Sequence, residues 1–348
     1  MSRVGMGIAG LGYLGCFHAA NLARYVPHAA LRRVVDTDGG VAARVGADLG
    51  VEASTDFDAL LDDPTIAAIV VATPTSTHAE LIEKAAHAGK HVFTEKPVSL
   101  DVDSTIRAIE AARSGGVCLQ VGFHRRFDAD WRAVATRARN GDLGRLFFFR
   151  STQRDMLPPP DTSYIESSGD FFVDAMIHDF DCARWIMGEI TEVSATATAV
   201  TSPRFAEAGD VDHAIVALRF ESGAIGVIDG SRAAGYGYEC STEILGERAT
   251  ARIAYNRVHN VEWLTAGTST RDYVTDFRDR HRDAYRAELD AFACSIRDDV
   301  PPDVSGADAL AAFRVASAAS RSHADGVPID PRADQPYTSA GAEVRGRA

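Results

Sequence analysis

Cysteine is scarce and unpatterned in this chain. Cys16, Cys118, Cys182, Cys240 and Cys294 are scattered through 348 residues. Their number is odd and no pair has redox or metal-ligand spacing, which predicts reduced thiols and no disulfide framework. Positive charge is also short: 36 Lys and Arg stand against 49 Asp and Glu, a formal net charge of −13. Binding to a phosphate backbone needs a basic stripe, so nucleic acid is not expected as a partner. No apolar run approaches membrane-spanning length, and Met1-Ser2-Arg3 leads straight into an apolar strand, without the pattern of a secretory signal. The histidines are dispersed, so no metal site is expected. These absences predict a cytoplasmic protein with neither membrane nor metal. What is present, 46% apolar and 24% charged residues, is ordinary for a globular chain long enough for two domains.

The first half alternates apolar strands with helical patterns. Val4–Ala9 reads as a strand, followed by Gly10-Leu11-Gly12-Tyr13-Leu14-Gly15 and a helix from about Cys16 to Arg24. Strand, G-x-G-x-x-G and helix, in that order, are the fingerprint of a dinucleotide site. Gly10 allows the tight turn, Gly12 lets the backbone approach a pyrophosphate, and Gly15 lets helix and strand pack closely. Free N–H groups at the helix start complete the phosphate site, so Tyr13 and Leu14 join the candidate cofactor contacts. The next strand, Leu31–Val35, ends at Asp36. An acid there accepts hydrogen bonds from the adenosine ribose and repels a 2′-phosphate, which favours NAD over NADP. The competing reading makes Asp36 a cap for the helix Gly39–Leu49.

Ala67–Ala72 is a continuous apolar run, as a parallel strand buried on both faces should be. It ends in Thr73-Pro74-Thr75-Ser76-Thr77-His78, and loops at such strand ends bind ligands. Thr73, Pro74 and His78 are therefore cofactor candidates, with His78 alternatively a helix-start residue without a ligand. His91-Val92-Phe93 forms a further strand and delivers Glu95-Lys96-Pro97, where the proline turns the chain just after a lysine. Glu95 and Lys96 join the cofactor set, and Lys96 also faces the substrate. A helix over Leu100–Arg113 and a strand at Val117–Val121 close a parallel sheet.

After Gly122 the pattern changes. A helix over Asp130–Asn140 precedes strands at Leu146–Thr152, Thr191–Val200, His213–Phe220, Ala224–Ser231 and Tyr238–Leu245. Thr250–Tyr255 and Val261–Thr265 are candidates for two more. Their spacing predicts a large, mostly antiparallel sheet made of hairpins, for example across Glu221-Ser222-Gly223. Phe171–Gly188 reads as one helix, and within it Asp174 and His178 stand four apart, on one face a turn apart. A carboxylate beside an imidazole orients it and raises its basicity. The alternative is a solvated surface pair, which the apolar neighbours Phe171, Phe172, Met176 and Ile177 disfavour. Helices return at about Tyr285–Arg297 and Gly306–His323. The predicted organisation is a dinucleotide-binding domain of the Rossmann type at 1–122, an α+β substrate and oligomerisation domain at 123–335, and a loose tail at 336–348.

Together these features resemble the Gfo/Idh/MocA family of nicotinamide-dependent sugar and cyclitol oxidoreductases. The Gly10–Gly15 fingerprint, Thr73-Pro74 with His78, Glu95-Lys96-Pro97 and Asp174 with His178 fall in the family's order and at its distances. Gly122–Asp128, Pro158-Pro159-Pro160 with Ser163-Tyr164-Ile165, and Asp174–Asp181 are similar to inositol 2-dehydrogenases. The resemblance implies Lys96, Asp174 and His178 as the catalytic set. It also implies that the antiparallel sheet serves a homo-oligomer, a tetramer or dimer. His124 stands where catabolic relatives tend to have asparagine, and His281 where they often have an aromatic residue.

The expected reaction is oxidation of a secondary ring hydroxyl, myo-inositol going to 2-keto-myo-inositol (scyllo-inosose) with NAD as hydride acceptor. The hydroxyl proton must leave as the hydride does, with His178 as general base and Lys96 stabilising the developing oxyanion. Asp174 would hold the His178 tautomer or pair with Lys96. His124, Asp155 and Tyr238 are further candidates for substrate contact, with loop or sheet packing as the alternative for the last two. Two other readings stay open: a dehydrogenase of an aminocyclitol or sugar in a biosynthetic pathway, and a dinucleotide-binding sensor without catalysis.

Overall fold

In the computed structural model of the protein, residues 3–158, 162–254 and 258–333 are described. The first sheet comprises β1 (Val4–Ala9), β2 (Ala29–Val35), β3 (Glu52–Ser54), β4 (Ala68–Val71), β5 (His91–Thr94) and β6 (Leu119–Val121). Their order is β3-β2-β1-β4-β5-β6, and every neighbour pair is parallel. The chain reverses its direction of winding between β1 and β4, and a sheet of this kind opens its ligand crevice there. Each residue of β4 is 0% exposed, which explains its unbroken apolar sequence.

The core of this sheet joins Met6, Ile8, Leu22, Val34, Val70 and Phe93 to Leu289, Phe292 and Ala293. The last three come from the helix Arg282–Asp298, far along the chain. Tyr285, Leu289, Phe292 and Ala293 are all buried, and their spacing gives that helix one apolar stripe. Each large side chain buried there stabilises the unit by about 1.5–3 kcal/mol. Residues 283–311 accordingly belong to the same compact unit as residues 1–128, and the second unit comprises 129–282 and 312 onward.

The second unit carries β7 (Leu146–Arg154), β8 (Ile190–Thr198), β9 (His213–Phe220), β10 (Ile225–Ser231), β11 (Glu239–Gly246) and β12 (Thr250–Ile253). The order is β12-β11-β7-β10-β9-β8. Four of the pairs are antiparallel, and β7 with β10 is parallel. The sheet is therefore mixed rather than built of hairpins alone, because β7 inserts between strands that come much later. The β9–β10 hairpin turns where expected, with Gly223 at φ 84°. Burial alternates strictly along β9, the mark of a sheet with one covered face. The expected strand at Val261–Thr265 shortens to β13 (Trp263–Thr265), which among the described residues pairs only with β14 (Thr268–Thr270), outside the large sheet. All its residues are exposed, so it has no apolar face to dock.

The single helix expected over Phe171–Gly188 is two, Phe171–Asp174 and Ile177–Met187. At the join, Ala175 N–H and Met176 N–H both donate to the Phe171 carbonyl, each at 3.1 Å, so the ladder stretches and restarts. β10 passes close by: a Cβ on Gly230 would lie 2.9 Å from the Phe171 ring and 3.2 Å from the Met176 sulfur. Asp174 and His178 consequently stand on consecutive short helices rather than on one face of a single helix. Among the described residues, no helix is long and apolar enough to cross a membrane.

Candidate active site

The glycines after β1 divide the labour. Gly10 has φ 89°, and a Cβ there would lie 2.5 Å from the Ala72 carbonyl oxygen. A Cβ on Gly15 would lie 2.0 Å from the Gly10 carbonyl oxygen. Both are demanded by packing. A Cβ on Gly12 would meet nothing within 4 Å, so the space over it is open. The helix Tyr13–Arg24 has no side-chain cap and no acid in its first turn. An open approach onto an uncapped helix start suits a pyrophosphate. Gly12 and Tyr13 are exposed and Leu14 half-buried at this edge.

Asp36 follows β2 directly. Its Oδ2 accepts the Leu11 N–H at 2.7 Å and its Oδ1 the Asp38 N–H at 2.9 Å. The cap of the helix Gly39–Leu49 is Asp38, which accepts from Gly40 and Val41 at 2.8 and 3.1 Å. The capping role weighed for Asp36 thus falls to its neighbour, and Asp36 is half-buried against the glycine loop.

Thr73 and Pro74 follow β4, and the helix Thr75–His87 starts at once. Thr73 and Thr77 share a hydroxyl hydrogen bond of 2.7 Å. His78 is 1% exposed, and burial lowers its pKa. Its ring nitrogens lie 2.8 Å from the Thr73 carbonyl and 2.9 Å from the Pro97 carbonyl. The imidazole thus ties the loop after β4 to the loop after β5. Lys96 is half-buried just beyond β5. Glu95 is buried, with Oε1 at 2.7 Å from His18 Nε2 and Oε2 at 3.3 Å from the Lys96 main-chain N–H. His124 is buried in the same unit, with its ring stacked on Tyr285 at 4.5 Å.

In the second unit, Asp174 is held at both oxygens. Oδ2 pairs with Arg232 Nη1 at 3.0 Å, and Oδ1 accepts the Tyr164 hydroxyl at 3.1 Å. Arg232 is itself 1% exposed. It reaches Asp210 at 3.3 Å and lies over the Phe171 ring at 5.0 Å. The Asp174 charge pushes the Tyr164 phenol well above its ordinary range, so the phenol remains a donor. Burial lifts Asp210 to about 6, against the pull of Arg232. A guanidinium desolvated between two carboxylates holds the Asp174 side chain in one orientation. His178 is 9% exposed on the following helix.

Asp155 lies at the end of β7, its N–H donating to the Ser231 carbonyl at 2.9 Å. That places it beside the turn that carries Arg232. Tyr238 is buried, its ring edge-on to that of His281 with the centroids 6.0 Å apart. Pro159 and Pro160 lie outside the described residues, as do Tyr255 and the expected tail. The sequence reading missed Arg232, Asp210, His18 and Glu288. Their only signal was a charged or titratable residue inside or beside an apolar pattern.

Residues 4–123 match the model of the oxidoreductase family's NAD-binding Rossmann fold, and residues 137–330 match its C-terminal alpha/beta domain. The chain belongs to the Gfo/Idh/MocA oxidoreductase family. It is an NAD-dependent oxidoreductase. The chain is 40% identical to a myo-inositol 2-dehydrogenase of Thermotoga maritima, over 91% of this chain and 95% of that protein. It is 38% identical to the scyllo-inositol 2-dehydrogenase (NAD(+)) of Bacillus subtilis, over 97% and 98%. A crystal structure of a probable dehydrogenase from Thermotoga maritima superposes with a TM-score of 0.91 at 38% identity, covering 94% of this chain and 99% of that one. The Gfo/Idh/MocA architecture thus accounts for both sheets.

Proposed function

We propose that the protein oxidises a secondary ring hydroxyl of a cyclitol, most simply myo-inositol to 2-keto-myo-inositol. Relatives of that activity match nearly the whole chain. NAD, when bound, accepts the hydride. Gly10, Gly12, Tyr13, Leu14 and Gly15, with Asp36, Thr73, Pro74, Glu95 and Lys96, are the residues that would hold it, and His78 braces the two loops among them. Asp36 supports NAD over NADP.

The observation that carries the reading is the pinned carboxylate of Asp174. Arg232 and Tyr164 hold both its oxygens, which fixes its orientation. His178, close after it in the chain, is then the general base for the substrate hydroxyl. Lys96 stabilises the oxygen as charge develops on it. Asp155, His124 and Tyr238 remain candidates for the other hydroxyls. The outer face of the second sheet, where Ile215, Ile225 and Leu245 are exposed, is the proposed face of a homo-oligomer.

Absorbance of reduced nicotinamide tests this directly. Enzyme with NAD or NADP is mixed with myo-inositol, scyllo-inositol, an inosamine, glucose or xylose. A rise with NAD and an inositol is expected. A rise only with the inosamine or a sugar would retain the mechanism and replace the substrate. His178→Ala should lower turnover by about 10²–10⁴. Near-normal turnover in that variant would refute His178 as base. Lys96→Met should lower turnover far more than it weakens NAD binding.

A further inference from the structure

Three buried titratable groups of the first unit lie together, and two of them, His18 and Glu288, have no role in the reaction above. His18 comes from the helix Tyr13–Arg24, Glu95 from the end of β5, and Glu288 from the helix Arg282–Asp298. They are 0%, 7% and 0% exposed. One nitrogen or oxygen of each lies within 4.8 Å of the other two. Glu95 has donors on both oxygens, His18 on one and the Lys96 main chain on the other. Glu288 differs: among the described residues, neither carboxyl oxygen has a hydrogen-bond partner. Gln120, from β6, spends its Nε2 N–H on the Glu288 main-chain carbonyl at 2.8 Å.

Two ionised carboxylates cannot stand this close in a dry core, because desolvation and mutual repulsion drive a proton onto one of them. The donors around Glu95 suit a carboxylate, and Glu288 has none. Burial, then the charge of Glu95, raises the Glu288 carboxyl far above the ordinary range. The titratable and polar groups that face it are Glu95 from the end of β5, His18 from the first helix and Gln120 from β6. Phe93 and Tyr285, each edge-on to the His18 ring, wall the cluster.

We propose that Glu288 is a positioning residue that works as a neutral acid. It carries the proton of the pair, Glu95 stays a carboxylate strapped between His18 and the main chain of Lys96, and the strand end bearing Lys96 is fixed. An ionised Glu288 would repel Glu95 and loosen that strap. The effect on turnover rests on Lys96 meeting the substrate oxygen; the location of the proton does not.

The test compares Glu288→Gln and Glu288→Leu with the full-length enzyme. Infrared difference spectra read the proton without reference to activity: the wild type should show a buried protonated carboxyl stretch that Glu288→Gln lacks. Glutamine and leucine are both uncharged, so both should keep turnover within about threefold with NAD affinity unchanged. Absence of the infrared band would overturn the proposal. So would a glutamine variant whose turnover falls about tenfold or more, or a stoichiometric metal ion that Glu288→Gln loses. Lys96→Met, assayed alongside, separates the two readings. If it keeps normal turnover while the infrared band is present, the role of Lys96 falls and the proton on Glu288 stands.

Discussion

Single residues divide here into those the fold needs and those the chemistry needs, and Gly12 shows the difference most cleanly. A Cβ at this position would have nothing within 4 Å, and φ is −69°, so Gly12→Ala should leave the melting temperature unchanged. It should still raise the NAD dissociation constant at least about tenfold, because a methyl group occupies the approach to the helix start. Calorimetry and NAD titration on one sample check both halves. Arg232→Met should do the opposite. It strands two buried carboxylates, a loss of about 3–5 kcal/mol by the usual cost of breaking a buried pair. Adding Asp210→Asn should recover part of the stability, seen in denaturant melts, but not turnover, since Asp174 still lacks its cation. Asp210 also carries a pH signature. Its folded pKa of about 6 exceeds the ordinary 3.8, so the native state binds the extra proton between those values. The stability it lends is fully present below the lower value and is lost as pH rises through the upper, about 3 kcal/mol at most. Asp210→Asn should therefore gain on the wild type as melts are moved from about pH 4 to about pH 7.5. The glycine turn and the place of Asp36 beside it were legible because both are bound to local order along the chain. Arg232 was not: its partners Asp174 and Asp210 lie in other segments, and only the fold brings them to it.

Elements follow the sequence where a local signal is strong and depart from it where a neighbour intrudes. The helix Gly39–Leu49 begins and ends where its pattern does, because Asp38 caps it and Gly50, at φ 69°, stops it. Asp38→Ala should cost about 1 kcal/mol in urea melts, with NAD affinity little changed because Asp36 keeps its bond to Leu11. Phe171–Gly188 is the contrary case. Its apolar periodicity runs on without a break, yet the backbone restarts at Met176 where β10 presses in at Gly230. No residue in that stretch announces the break, since its cause lies in another strand. The parallel pairing of β7 with β10 was hidden for the same reason. Alternation identifies strands and their faces but is silent on their order.

At the scale of the molecule, the second sheet shows two faces of different character. The outer one pairs Arg150 with Glu243 and Val227, and Ile225 with Phe148 and Arg219, in register. Its exposed apolar residues make it the predicted contact between copies. Ile215→Asp with Ile225→Asp should shift the protein to a smaller species in sedimentation, without melting the sheet, because neither side chain is buried in the unit. The first unit is a different matter. Its core draws Leu289, Phe292 and Ala293 from a segment that follows the whole second sheet. During synthesis, the nucleotide half must therefore wait with part of its core uncovered until the second half has been translated and the helix Arg282–Asp298 has emerged. A ribosome stalled before that helix would hold a chain whose fingerprint loop is complete in sequence and which still lacks the residues that finish its fold.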